Sequence, residues 1–180
     1  MEPLRGGKLA NNVPEEVATI IKESGRQQSA AEFAFRWLLS RAEVSCVLSG
    51  MSSMEQVKEN IKIASEDHIG SLTEDDMLLY ERAKRFYQSR TKVNCTQCGY
   101  CVPCSQKIPI PFILELYNDA CMYDALEHSR WMYRVYVKPE HRADKCTECG
   151  ECEERCPQKI PISEWMKEAH QLLSTDGRDQ

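Results

Sequence analysis

Eight of the chain's ten cysteines fall in two short runs, and no other feature limits the possible folds as strongly. The runs are CTQCGYCVPC (Cys95, Cys98, Cys101, Cys104) and CTECGECEERC (Cys146, Cys149, Cys152, Cys156). They are copies of one another. Cys95-Thr96, Cys98-Gly99 and Cys101 recur 51 residues later as Cys146-Thr147, Cys149-Gly150 and Cys152. Cys104 and the stretch Gln106 to Ile110 recur 52 residues later as Cys156 and Gln158 to Ile162, so a single residue is inserted before the last cysteine of the second copy. That copy reads C-x2-C-x2-C-x3-C-P, the spacing of an iron–sulfur ligand run.

The spacing has a geometric reason. A cubane cluster needs four thiolates pointing inward, and three cysteines on one tight loop reach three of its irons. In two-cluster ferredoxins the fourth cysteine of each run serves the other cluster. The expected ligand sets are therefore Cys95, Cys98, Cys101 and Cys156 for one [4Fe-4S] cluster, and Cys146, Cys149, Cys152 and Cys104 for the second. Gly99 and Gly150 suit a backbone that turns sharply and comes close to inorganic sulfide. Pro157 stops regular hydrogen-bonded structure just after its ligand. Zinc is the first rival, but a four-ligand zinc knuckle leaves the other cysteines of paired four-cysteine runs unexplained. A disulfide framework belongs to secreted chains, and cysteines two residues apart are poorly placed to bridge.

At 180 residues the chain has room for one domain or two small ones, and 42% apolar residues support a packed core. No stretch approaches the roughly 18 consecutive apolar residues of a membrane span. A net charge of −5 with no basic stripe argues against nucleic acid as a partner. Cys46 and Cys121 stand apart in apolar surroundings and read as small core residues. With no targeting pattern visible, reduced thiols and oxygen-sensitive clusters point to a cytoplasmic protein.

Along residues 1–90, Pro3, Leu4, Gly6 and Gly7 read as the end of a strand entering a loop. Pro14 to Ser24 reads as a helix stopped by Gly25. Ser29 and Glu32 form a capping box ahead of a helix with Phe33, Ala34, Trp37 and Leu38 on its apolar side. Val44 to Ser49 (VSCVLS) is the one convincing strand, ending at Gly50. Ser53 and Gln56 make a second box before a helix carrying Val57, Ile61 and Ala64. Thr73 and Asp76 open a third, with Met77, Tyr80, Ala83 and Tyr87 along one face.

This order, in the pieces EPLRGGKL, AEFAFRWLLS and VSCVLSGMSSMEQVKEN, resembles the C-terminal portion of the aldo/keto reductases, NADPH-using (β/α)8 barrels. Gly50, Gln56, Glu59 and Asn60 match that family's adenosine-side pattern, and Ser52 stands where many members carry a basic residue for the 2′-phosphate. The resemblance therefore implies NADP(H) or NAD(H) binding at Gly50, Ser52, Gln56, Glu59 and Asn60 once a barrel is complete. The family's Asp, Tyr, Lys and His tetrad lies in its first barrel half, ahead of the part matched. No catalytic residue carries over. A C-terminal two-cluster ferredoxin domain is itself a known attachment in this family.

Beyond Gln88 to Asn94, a polar stretch read as a hinge, Pro111 starts a helix with Phe112, Leu116 and Ala120 on one side. A second helix over Ala125 to Val137 carries Trp131, Tyr133 and Tyr136, as core or as a shield over a cluster. The 41 residues between Cys104 and Cys146 are too many for an all-loop connection. They suggest a helical ferredoxin resembling the iron–sulfur subunits of succinate dehydrogenase. Ser163 is expected to cap a last amphipathic helix with Trp165, Met166, Ala169 and Leu173, and Ser174 to Gln180 to fray. The expected fold is mainly α: a partial (β/α)8-barrel segment over 1–90, helices plus about one strand, then an alpha-helical ferredoxin domain over 91–180. Its expected role is electron transfer through two [4Fe-4S] clusters in an aldo/keto reductase-like oxidoreductase. Its partners would be a redox protein or the missing N-terminal barrel half. The rival is a stand-alone electron carrier or an interaction subunit docking on another chain, with a zinc module behind it.

Overall fold

A computed structural model describes residues 3–11, 13–66 and 68–174. The frayed end expected after Ser174 lies outside the described residues, as do Met1 and Glu2 of the opening segment. Two compact units divide the chain, Met1–Ser89 and Arg90–Gln180. Among the described residues all regular structure is helical.

The first unit begins with turns over 3–7 and a short helix α1 (Lys8–Asn11), where a strand end was expected. Helix α2 (Glu15–Glu23) starts behind Pro14, whose carbonyl accepts the Ala18 N–H at 2.9 Å. Its buried stripe is Val17, Ile20 and Ile21, and Gly25 at φ 67° ends it. Helix α3 (Ala30–Leu39) is capped by Ser29 Oγ, which accepts the Glu32 N–H at 3.0 Å. Phe33 and Phe35 are buried there, whereas Trp37 stays exposed with the Arg41 guanidinium 4.7 Å from its ring. Helix α4 (Met54–Ala64) has the complete capping box of Ser53 and Gln56. Helix α5 (Glu74–Arg90) starts with the reciprocal pair of Thr73 and Asp76: each side chain takes the other's backbone N–H. Val17, Ile20, Ile21, Phe33 and Ala83 form the core, and Phe33 stacks on Tyr80 at 4.1 Å.

Val44 to Ser49 forms no strand. A strand must exchange hydrogen bonds with a neighbour, and none of the described residues supplies one. The run stays at the surface, which corrects the expectation for Cys46: its thiol is exposed rather than in a core. Leu48, Met51, Met54, Ile61, Ile69 and Leu78 are exposed as well.

In the second unit three helices pack on one another: α6 (Ile110–Met122), α7 (Leu126–Tyr136) and α9 (Ile162–Ser174), with the one-turn α8 (Glu151–Glu154) beside α9. Ile113, Leu114, Leu116, Tyr117, Tyr133, Met166, Ala169 and Leu173 fill the space between them. The repeats contribute matching pegs: Ile108 and Ile110 from the first, Ile160 and Ile162 from the second, all buried. The boundary between the units falls within the stretch 88–94. Residues 88–90 complete α5, and Asn118 clamps the following segment to α6. Its Oδ1 accepts from the Lys92 and Val93 N–H groups at 3.1 and 3.0 Å, while its Nδ2 donates to the Val93 carbonyl at 2.8 Å. Of the three aromatics on α7 only Tyr133 is core; Trp131 and Tyr136 are exposed. The Tyr133 hydroxyl accepts the Ala143 N–H at 2.9 Å and lies 3.0 Å from His170 Nδ1, which ties α7 to α9.

Candidate iron–sulfur and nucleotide sites

All ten cysteines are free thiols, and those of the two runs take up matching positions. The middle cysteines Cys98 and Cys149 are exposed; the others of each run are partly buried, and Cys156 is buried at 8% exposure. The backbone repeats too. Gln97 and Gly99 have φ of 61° and 77°, and their counterparts Glu148 and Gly150 have 55° and 78°. Left-handed residues between and after the first two cysteines curl each loop, the kind of backbone that can form an N–H nest. The glycines are required by this backbone sign rather than by crowding. A side chain at Gly150 would meet nothing within 4 Å, and one at Gly99 only Val102 at ordinary contact distance. After the last cysteine of each run an equivalent turn closes, with Lys107 N–H on the Cys104 carbonyl at 2.8 Å and Lys159 N–H on the Cys156 carbonyl at 3.1 Å.

Cys156 of the second run lies within electrostatic reach of Cys95 and Cys101, and Cys104 of the first run within reach of Cys152. Burial pushes the Cys95 thiol up, and the fields of Cys98 and Cys156 add to it. Burial likewise raises Cys101, whose charged neighbours are Cys95, Cys98 and Cys156. Burial also lifts Cys152 to about 11, with Glu153, Cys146 and Cys104 contributing. Cys104, Cys146, Cys149 and Cys152 line one small cavity with Ile108, Ile162 and Met166, and Cys101 of the first run reaches its wall as well. Reduced thiols from both runs lying this near one another are a donor chemistry that fits iron–sulfur clusters. Metal must displace the protons that burial holds on these sulfurs, so loading releases protons. No group of three or more His, Cys, Asp or Glu among the described residues converges on a single-ion position. A cluster spreads its ligands over separate irons and does not need one.

Ser163 does not cap α9, which already includes it. Its N–H and hydroxyl both donate to Glu153 Oε1, at 2.8 and 2.5 Å, and hold that carboxyl below the usual carboxylate range. Sequence reasoning passed over Glu153. The repeat offset was the available signal, since it aligns Glu153 with the uncharged Val102.

In the first unit, Gly50, Ser52, Gln56, Glu59 and Asn60 all line one cavity of about 500 Å³, together with Gly6, Gly7, Asn11 and Ser29. Gln56 Oε1 accepts the N–H groups of Ser52 and Ser53 at 2.8 and 3.3 Å and the Ser52 hydroxyl at 3.3 Å. Asn60 Nδ2 donates to Ser49 Oγ at 3.1 Å. Gln56 and Asn60 thus hold the 49–53 loop in shape. Among the described residues the cavity wall has no lysine or arginine, and Glu59 is its single charged residue. This suits ribose hydroxyls better than a phosphate dianion.

Residues 93–160 match the 4Fe-4S dicluster domain, and residues 4–78 match the aldo/keto reductase family. The chain thus joins a stretch of the aldo/keto reductase family to a 4Fe-4S dicluster domain, in that order. No solved structure gives a significant match. No helix among the described residues is long and apolar enough to cross a membrane.

Proposed function

We propose that this chain is the electron-transfer module of an aldo/keto reductase-like oxidoreductase and binds two [4Fe-4S] clusters. Residues 1–90 form the barrel segment and residues 91–180 the bicluster domain. One cluster sits on Cys95, Cys98, Cys101 and Cys156, the other on Cys104, Cys146, Cys149 and Cys152. The observation that supports this reading best is the proximity of Cys156 to Cys95 and Cys101 and of Cys104 to Cys152, across the two runs. The clusters supply one-electron chemistry. The protein's part is to hold the thiolates, to aim loop N–H groups at the sulfurs and to keep water away from the buried side.

Anaerobic reconstitution of the full chain tests it. The expected product has about eight irons and absorbance near 400 nm that dithionite bleaches. A colourless protein with tightly held zinc would sink the reading.

The cavity at Gly50, Ser52, Gln56, Glu59 and Asn60 is the nucleotide subsite of a completed barrel. Its lack of a cation favours NAD(H) over NADP(H). Nicotinamide gives up two electrons as hydride whereas each cluster takes one, so coupling the two requires a flavin or another two-electron mediator on a partner. The partner is a redox protein or the remainder of the barrel, in a reducing compartment such as the cytoplasm. The second reading is an electron carrier that works without the barrel, and the separate three-helix core of the second unit favours it. NADH titration into the full chain joined by a supplied N-terminal barrel half separates the two: saturable binding supports the first reading and its absence the second.

A further inference from the structure

The two copies of the cysteine run differ in charge at almost every position where they differ at all. Gln97, Tyr100 and Val102 of the first correspond to Glu148, Glu151 and Glu153 of the second. Two of these acids are neutralised. Lys167 Nζ lies 2.8 Å from Glu148 Oε1, and Arg155 Nη2 lies 3.4 Å from Glu151 Oε2. Glu153 is different. It is half-buried next to Cys152, its partners are the N–H and hydroxyl of Ser163, and no cation among the described residues pairs with it. Two neutral donors fix the carboxylate in place without cancelling its charge. The first copy lacks the device entirely, because Pro111 stands at the position of Ser163 and offers neither N–H nor hydroxyl.

We propose that Glu153 separates the reduction potentials of the two centres. It makes the cluster on Cys104, Cys146, Cys149 and Cys152 the harder to reduce, so the cluster on Cys95, Cys98, Cys101 and Cys156 is filled first. The proposal rests on the two-cluster reading above. Reduction of either centre adds one electron from the reductant, breaks no bond and takes up no proton in this account, so it deepens the local negative charge. A fixed carboxylate in a partly desolvated site opposes that far more than one in water. The first set has no counterpart to this acid, because the matching position holds the uncharged Val102. Electrons would enter and leave through the first run's loop, where Tyr100 and Val102 are exposed.

The test is an EPR-monitored redox titration of the reconstituted full chain with dithionite. Two one-electron steps are expected. Glu153→Gln should raise the lower midpoint, leave the upper one in place and so narrow the gap, while Glu153→Asp should preserve it. Val102→Glu installs the acid in the first copy and should lower the upper midpoint. Cys98→Ser should perturb the EPR signal of the upper step and thereby label it. Two full clusters whose midpoints ignore Glu153→Gln, or a shift of the upper step alone, would overturn the proposal and leave the two-cluster reading standing. A wild-type chain that takes up a single cluster overturns both.

Discussion

The two units solve the problem of burying a helical chain in different ways. The second closes its core internally: Ile113, Met166 and Ala169 are fully buried between α6, α7 and α9. The first has a thinner core and leaves Met54, Ile61, Ile69 and Leu78 at 60% exposure or more. Ion pairs supplement that core. Arg26 makes a two-pronged pair with Asp76, at 2.5 and 3.1 Å, and a second such pair joins Arg82 to Glu23. The caps and charges of the first unit are satisfied locally, while part of its apolar surface is left uncovered. The dicluster region brings its whole core within one segment.

Removing the iron should break this contrast most severely. Anaerobic chelation of the reconstituted protein is expected to abolish the cooperative melting of the second unit while the first keeps its helices, because the burial of Cys156 and its neighbours is set against ligand formation. Circular dichroism on heating reads both. If the metal-free second unit melts as before, its core needs no metal and the thiols are only lodged in it.

A smaller effect should come from Met166→Ala, which empties a site of 0% exposure at the centre of the three helices. The expected cost is about 3 kcal/mol, measured by denaturant unfolding. The equivalent change at exposed Ile61 should cost well under 1 kcal/mol. Similar losses at both positions would erase the distinction between the units.

The smallest effect concerns the first unit and acid. Burial raises the pKa of Asp76, yet the Arg26 guanidinium and the N–H and hydroxyl of Thr73 outweigh it and hold the carboxyl at about 2, against 3.8 for an ordinary aspartate. A depressed folded-state pKa stabilises above the unfolded value and is lost as pH falls through the folded one. The contribution of about 2 kcal/mol should therefore be complete above pH 4 and vanish between about pH 4 and 2. Asp76→Asn should remove that slope in an acid titration of stability. An unchanged slope would assign the acid sensitivity elsewhere.

The legible parts of this chain were those whose physics is local. Ser53 with Gln56 and Thr73 with Asp76 announce helix starts over a span of four residues, and both starts are present. Spacing and repetition marked the two runs as iron–sulfur ligand runs, which the dicluster match supports. Val44 to Ser49 was misread because a strand is defined by its neighbour, and periodicity does not reveal whether one exists. The Cys46 error followed from it. Ser163 has the composition of a cap, but a carboxylate ten residues upstream claimed its donors. The Asn118 clamp gave no signal, since a lone asparagine within a helix has no pattern to read.

The exchange of last cysteines has a topological consequence. On the proposed ligand sets, the segment bearing α6 and α7 is pinched shut at its ends by either centre alone. A cross-link helps mainly by taking freedom from the unfolded chain, and a loop already closed has little left to lose. The first centre to assemble therefore does most of the stapling, and the second gains a preformed cradle. In the chelation experiment this would appear as two unequal drops in melting temperature, the larger one coming with the last iron to leave.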